Sequence, residues 1–292
     1  MPTIPDDESW AVTEFAEADL GDARRTQRLL ELATVLAQRP TASLPEACGS
    51  RAQLKAAYRF FDNDAIDPQD LLASHVEATT ARLAAVPLVL AVQDTTELDW
   101  TAHPATTGLG PLAHPAHQGL HVHTTLALTP ERVPLGLLAQ QVWARDPADT
   151  GKRATRKRRP VAEKESQKWL TSIEAVIAAH AQCPQTRFVG IGDREADVYD
   201  LFLQERPSGV DLLVRASWNR RVDHPERYLW AKVEAHPVGA TLTVRVSRRD
   251  AQPDGGPVGV QVIAGRFRED VCFAAAAAIE EHASIFTPIA PR

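Results

Sequence analysis

Residues 87–94 read PLVLAVQD, and residues 187–193 read RFVGIGD. Each is a short, nearly continuous apolar run closed by an aspartate. Runs of this length with β-branched content are the pattern of strands buried in the middle of a sheet. The expectation is two central strands ending at Asp94 and Asp193. In open α/β sheets, functional groups gather at the carboxyl ends of strands. Carboxylates from neighbouring strand ends can share hard divalent cations, and Mg2+ typically takes one or two carboxylates plus substrate phosphates. A pair of such ions about 3.5–4 Å apart activates an attacking oxygen and stabilises a leaving one. The residues alone leave two other readings open. Both aspartates can simply cap turns or helices, or an unrelated Mg2+-dependent nuclease can complete its site with Glu97, Asp99 or Glu195.

Working outward, further strands are expected at Gly119–Leu128 (GLHVHTTLAL) and Val133–Val142 (VPLGLLAQQV), joined through a turn at Thr129-Pro130-Glu131, and at Val210–Arg215 and Ala240–Val246. A long amphipathic helix is expected over Glu163–His180, with Trp169, Leu170, Ile173, Val176 and Ile177 on one face, and a shorter one over Ala196–Gln204. Upstream, residues 8–62 read as helical. Leu29, Leu32, Ala33 and Leu36 recur at helical spacing, Asp22 is placed to cap, and Pro40 to terminate. A second helix runs from Ser50 to Phe60 with Leu54, Ala57, Tyr58 and Phe61 on one face. A third runs from Pro68 to Leu83. Helices first, then strands interrupted by a long helix, indicate a small helical domain followed by an α/β domain. We draw the boundaries at 1–70, 71–225 and 226–292. The last segment holds a partial β-rich stretch, a Pro/Gly-rich run and five consecutive alanines.

Composition narrows the function classes. Apolar residues make up 44% of the 292, enough for a real core. No run approaches the roughly 20 apolar residues of a membrane span. The acidic N-terminus lacks the pattern of a secretory signal, so the expected location is the cytoplasm. Cys48, Cys183 and Cys272 are too scattered for a disulfide framework or a zinc site. Net charge is −6, but positive charge concentrates in Lys152–Arg159 (KRATRKRR), a candidate phosphate contact. His103, His114, His117, His121 and His123 cluster without any ligand spacing and are read as loop and strand-face residues.

Six strings together are more specific. They are LGDARRTQRL (20–29), KAAYRFFDN (55–63), LAVQDTTELDW (90–100), PLGLLAQQVWARDP (134–147), EKESQKWL (163–170) and GDREADVYDLF (192–202). In order and spacing they resemble the insertion sequence 4 / transposon 5 class of DDE transposases. The resemblance extends from about Trp10 to about Trp218, roughly three-quarters of the chain. It implies a helical domain that binds double-stranded transposon-end DNA, followed by an α/β, ribonuclease H-like mixed sheet. It implies Mg2+ or Mn2+ held by Asp94 and Asp193 as the first two of three acids. The implied chemistry is phosphodiester cleavage and strand transfer.

By the same resemblance Arg24, Arg25, Arg28, Lys55, Tyr58 and Arg59 are expected DNA contacts. Arg215 is expected to approach DNA near the cleavage site, and Arg194 and Glu195 to support the second aspartate. The third acid, a glutamate in a tyrosine–arginine–glutamate–lysine setting beyond a β-rich insertion, has no match. Glu280 and Glu281 lack any supporting motif. The expectation is therefore a C-terminally truncated enzyme with impaired activity, its sheet incomplete. The alternative is an inactive remnant that only binds transposon-end DNA, in competition with a full-length enzyme; a dimer with a full-length transposase is a further partner expectation.

Overall fold

The computed structural model describes residues 7–114, 116–149 and 165–237. The basic run at 152–159, the strand expected at Ala240–Val246, Cys272, Glu280 and Glu281 lie outside the described residues. The chain divides into two compact units, Met1–Ala85 and Val86–Arg292.

The first unit is helical, with α1 (Asp7–Phe15), α2 (Ala23–Gln38), α3 (Leu44–Ala47), α4 (Arg51–Phe61) and α5 (Pro68–Leu83). Local chemistry sets its boundaries. The Asp22 carboxylate accepts from the Arg24 N–H at the start of α2, Ser50 accepts from Gln53 N–H at α4, and Asp67 accepts from Gln69 N–H ahead of Pro68 in α5. The core gathers Leu20, Leu29, Leu32, Cys48, Ala57 and Phe60, with Phe15, Leu44, Leu54 and Ile66 packed around them. Tyr58 and Phe61, expected on the buried face of α4, are instead 53% and 59% exposed. Phe60, three residues from Ala57, takes the inward position and is 6% exposed.

The unit continues past residue 70 through α5, which is tied to α1 by one carboxylate. Glu14 accepts from Arg82 at 2.5 and 3.2 Å and pairs with His75 Nδ1 at 2.7 Å, while its carbonyl accepts from the Ser74 hydroxyl at 2.9 Å.

Among the described residues, the second unit holds a six-stranded mixed sheet. β1 (Leu88–Asp99) is central, β2 is Gly110–Pro111, β3 is Gln118–Leu128 and β4 is Pro134–Trp143. Helix α6 (Gln167–Gln182) leads to β5 (Arg187–Gly192). A 3-10 turn at Arg194–Ala196, α7 (Tyr199–Leu203), β6 (Val210–Val214) and α8 (Leu229–Glu234) follow. β1 pairs antiparallel with β3 and parallel with β5, and β5 pairs parallel with β6. β2 and β4 both pair with β3. The β3–β4 turn closes with Thr129 N–H on the Val133 carbonyl and Arg132 at φ 67°.

β1 does not end at Asp94. It runs on to Asp99 because β3 pairs with it from Leu90 to its end, Asp94 facing Thr124 and Asp99 facing Gly119. Alternation along β1 then separates two faces. Val89, Ala91 and Gln93 are buried with Phe188, Gly190 and Leu212 under α6. A methyl group on Gly190 would sit 3.1 Å from the Ile173 side chain. Leu88 and Leu90 lie on the other face, with Val189, Ile191 and Leu213.

The α6 face also holds His121 and His123, which are 2% and 0% exposed. His123 packs edge-on to Trp169 at 4.6 Å and shares a hydrogen bond with Thr95 Oγ1 at 2.9 Å. His121 lies against Trp143. Burial, then the Lys168 charge, lowers the His123 imidazole to about 4, and burial first also lowers His121.

The lowered His123 makes stability depend on pH. Above the ordinary histidine value both folded and unfolded chains carry it neutral. Between about 6.5 and about 4 only the unfolded chain takes up the proton. Stability is full above that window and falls across it, by on the order of 3 kcal/mol. Urea midpoints at pH 7 and pH 4.5 should show this loss, and His123→Asn should flatten it. An equal slope in both proteins would contradict the assignment.

Candidate metal and nucleic-acid site

The β1–β5 register runs to Val92 opposite Ile191. Two residues further on, Asp94 is level with Asp193. Alternation along β1 puts Asp94 on the face away from α6, and Asp193 is the first residue past the end of β5. Both aspartates are exposed. Asp193 also caps the 3-10 turn, its Oδ1 accepting from Glu195 N–H at 2.8 Å.

The other carboxylates nearby are engaged elsewhere. Glu97 lies on the α6 side of β1, accepts from Ala113 N–H at 2.9 Å, and lies 3.4 Å from His121 Nε2. Asp99 accepts from the Thr101 N–H at 2.8 Å and its hydroxyl at 2.5 Å, and pairs with His117. Those bonds to Thr101 hold the Asp99 carboxyl below its ordinary value. Glu195 is taken by Lys168 Nζ at 3.3 Å.

Asp197, which the sequence reading passed over, is the most heavily bonded group in this region. It is buried, and accepts from Ser217 N–H (2.8 Å), Trp218 N–H (2.9 Å), the Ser217 hydroxyl (3.1 Å) and the Arg220 guanidinium (2.6 and 2.9 Å). The third acid of the string GDREAD was the available signal. Gly192 in that string allows close approach: a methyl there would stand 2.4 Å from Ala196 Cβ and 3.1 Å from Trp169. Arg215 follows β6 directly, exposed, its N–H donating to the Gly192 carbonyl at 3.2 Å. Arg194 is exposed as well, and its carbonyl accepts from the Ser217 hydroxyl.

The donor set fits a hard cation in one particular manner. Two exposed carboxylates at one level suit Mg2+ or Mn2+ that keeps waters and borrows phosphate oxygens. Among the described residues no three His, Cys, Asp or Glu side chains converge into a metal cage.

In the helical unit, the arginines of α2 divide. Arg24 is almost fully exposed and pairs with Asp22 at 3.2 Å, and Arg28 pairs with Glu31 at 2.5 Å. Arg25 is half-buried and donates to the Leu20 and Ala65 carbonyls at 2.8 and 3.2 Å, so it braces the unit's own backbone. On α4, Lys55, Tyr58 and Arg59 are all exposed. Arg51, missed in the sequence, is exposed too and extends the row to positions i, i+4 and i+8. None of Arg51, Lys55 or Arg59 forms an ion pair among the described residues. No described helix is long and apolar enough to cross a membrane.

Residues 7–66 match the model of the transposase DNA-binding family. The match covers α1 to α4 and includes the exposed basic row of α4. The helical unit thus carries a transposase DNA-binding domain.

Proposed function

We propose that this chain is a DDE-class transposase in which the helical unit grips transposon-end duplex DNA and the α/β unit holds Mg2+ or Mn2+ between Asp94 and Asp193 against a phosphodiester. The observation that carries the reading is the parallel register of β1 and β5, which makes two exposed aspartates level while Glu97, Asp99 and Glu195 are occupied by other partners. A mixed sheet with β1 central, antiparallel on one side and parallel on the other, supports a ribonuclease H-like identity for this unit. Bound ions would supply an activated water and neutralise charge on the leaving oxygen. The protein's own share is positioning. Asp94 and Asp193 offer the carboxylate oxygens, and Arg215 stands beside Gly192 where it can meet a phosphate.

The direct test uses the full chain with duplex fragments taken from the DNA flanking its coding region, in Mn2+ and in Mg2+. A single-strand nick at a defined terminal position is expected. Binding without cutting in either metal would reduce the protein to an end-binding factor. Cutting of any duplex, with no preferred position, would favour an unrelated nuclease.

Binding by α4 has its own signature. If Lys55 contacts a phosphate, Lys55→Ala should make the plot of log affinity against log salt shallower by about 0.9. Fluorescence anisotropy at several salt concentrations reads this directly. An unchanged slope would remove Lys55 from the interface.

A further inference from the structure

The turn after β5 carries three carboxylates within five residues, and each has a different fate. Asp197 is buried against Arg220. Glu195 is bound by Lys168. Asp193 alone stays exposed without an ion pair among the described residues.

Lys168 is an unusual partner for an exposed glutamate. It lies in the first turn of α6 and is only 9% exposed. Its ammonium lies 5.8 Å from the Trp143 ring centre and 5.5 Å from that of Trp169. Its backbone is fixed as well, the carbonyl accepting from Gln141 Nε2 at 3.0 Å. Burying a lysine is costly unless its charge is matched, and here the two ring faces and the Glu195 carboxylate match it. Glu195 N–H in turn donates to Asp193 Oδ1 at 2.8 Å. A continuous line of contacts thus leads from the core under α6 to the carboxylate level with Asp94.

We propose that Lys168 is a positioning residue for the metal site: by anchoring Glu195 it fixes the turn that aims Asp193, and so sets how tightly a divalent ion is held. This rests on the metal reading given above. Outer partners of metal ligands commonly change affinity about 10–100-fold when removed.

The test titrates the full chain with Mn2+ alone and reads free ion by electron paramagnetic resonance. Asp94→Ala and Asp193→Ala come first. If neither weakens Mn2+ binding, the metal reading fails and the role of Lys168 fails with it. If both do, Lys168→Met should weaken binding about tenfold or more. Lys168→Arg should stay within a few-fold of the native protein. Glu195→Gln, at an exposed position, should weaken binding in the same direction. The double variant should be no worse than Lys168→Met, because the two residues act in series. Urea unfolding confirms that each variant is folded. Should Lys168→Met not fold, Glu195→Gln carries the test. A folded Lys168→Met or Glu195→Gln with native Mn2+ affinity, or effects that simply add, would overturn the proposal while leaving the metal site standing.

Discussion

Asp94→Asn is expected to bind duplex DNA as the native protein does and to lose metal-dependent nicking by about a thousandfold or more. The asymmetry comes from where the residue lies. Residues 7–66 match the DNA-binding family, whereas Asp94 belongs to β1 of the other unit. Its side chain is exposed, so the isosteric amide should alter stability by no more than about 0.5 kcal/mol. In the proposed reaction the charge is what holds the ion. An ion that activates water and stabilises a leaving oxygen contributes several kcal/mol at the transition state, and each 1.36 kcal/mol is about a factor of ten in rate. Glu97→Gln is the paired control, since Glu97 lies on the α6 face with His121 and the Ala113 N–H. Should Asp94→Asn cut as fast as the native chain, the aspartate pair would not be a metal site. Should Glu97→Gln lose cutting to the same degree, the site would be on the other face of the sheet.

Much of this arrangement was legible before any coordinates. Asp22, Ser50 and Asp67 carry side-chain oxygens that cap the helices following them, and Pro68 can only begin a helix. The runs at 87–93 and 187–192 are short, nearly continuous and rich in apolar residues, the pattern of strands in the middle of a sheet. What the sequence hid is pairing. Nothing in TTELD announces that β1 continues past Asp94, because that continuation is supplied by β3, whose Gly119 and His121 face Asp99 and Glu97. Reading the strand as ending at Asp94 left Glu97 and Asp99 free to join the site. Alternation over the full strand puts them on the opposite face from Asp94.

Packing partners were equally invisible. Phe61 is as apolar as Phe60, yet from α4 only Ala57 and Phe60 are fully buried in the core of the helical unit, with Leu54 packed beside them. Glu14 reads as one acid among many, and its role appears only when α5 brings Ser74, His75 and Arg82 to it. The five histidines divide for the same reason: His121 and His123 are buried beneath α6, while His103, His114 and His117 are exposed.

Asp197→Ala is expected to destabilise the α/β unit by roughly 3–5 kcal/mol, because it breaks a largely buried ion pair from one side only. The Arg220 guanidinium would lose the carboxylate and keep only the backbone carbonyl of residue 197, and the N–H groups of Ser217 and Trp218 would lose their acceptor. Burial by itself would push the Asp197 carboxyl up. The Ser217 N–H, the Arg220 guanidinium and the Ser217 hydroxyl outweigh it and hold the group below the ordinary aspartate value. A carboxyl lowered in the folded state stabilises fully above the unfolded value and loses that contribution as pH falls through the folded one. Its window therefore lies below about 3.9, beneath the one in which His123 acts, and the two can be separated by acid titration of unfolding.

Asp197→Asn keeps an oxygen for the Ser217 and Trp218 N–H groups and should cost less than the alanine. Arg220→Ala should cost less than Asp197→Ala as well, since the carboxylate would keep its three Ser217 and Trp218 donors. A double-mutant cycle between the two positions isolates the pair itself. The same bonds tether the segment 215–220 to the turn that begins at Asp193. Folded Asp197 variants should therefore also weaken Mn2+ binding. If Asp197→Ala unfolds within about 1 kcal/mol of the native protein, that carboxylate is not what holds the end of β6 beside the candidate site.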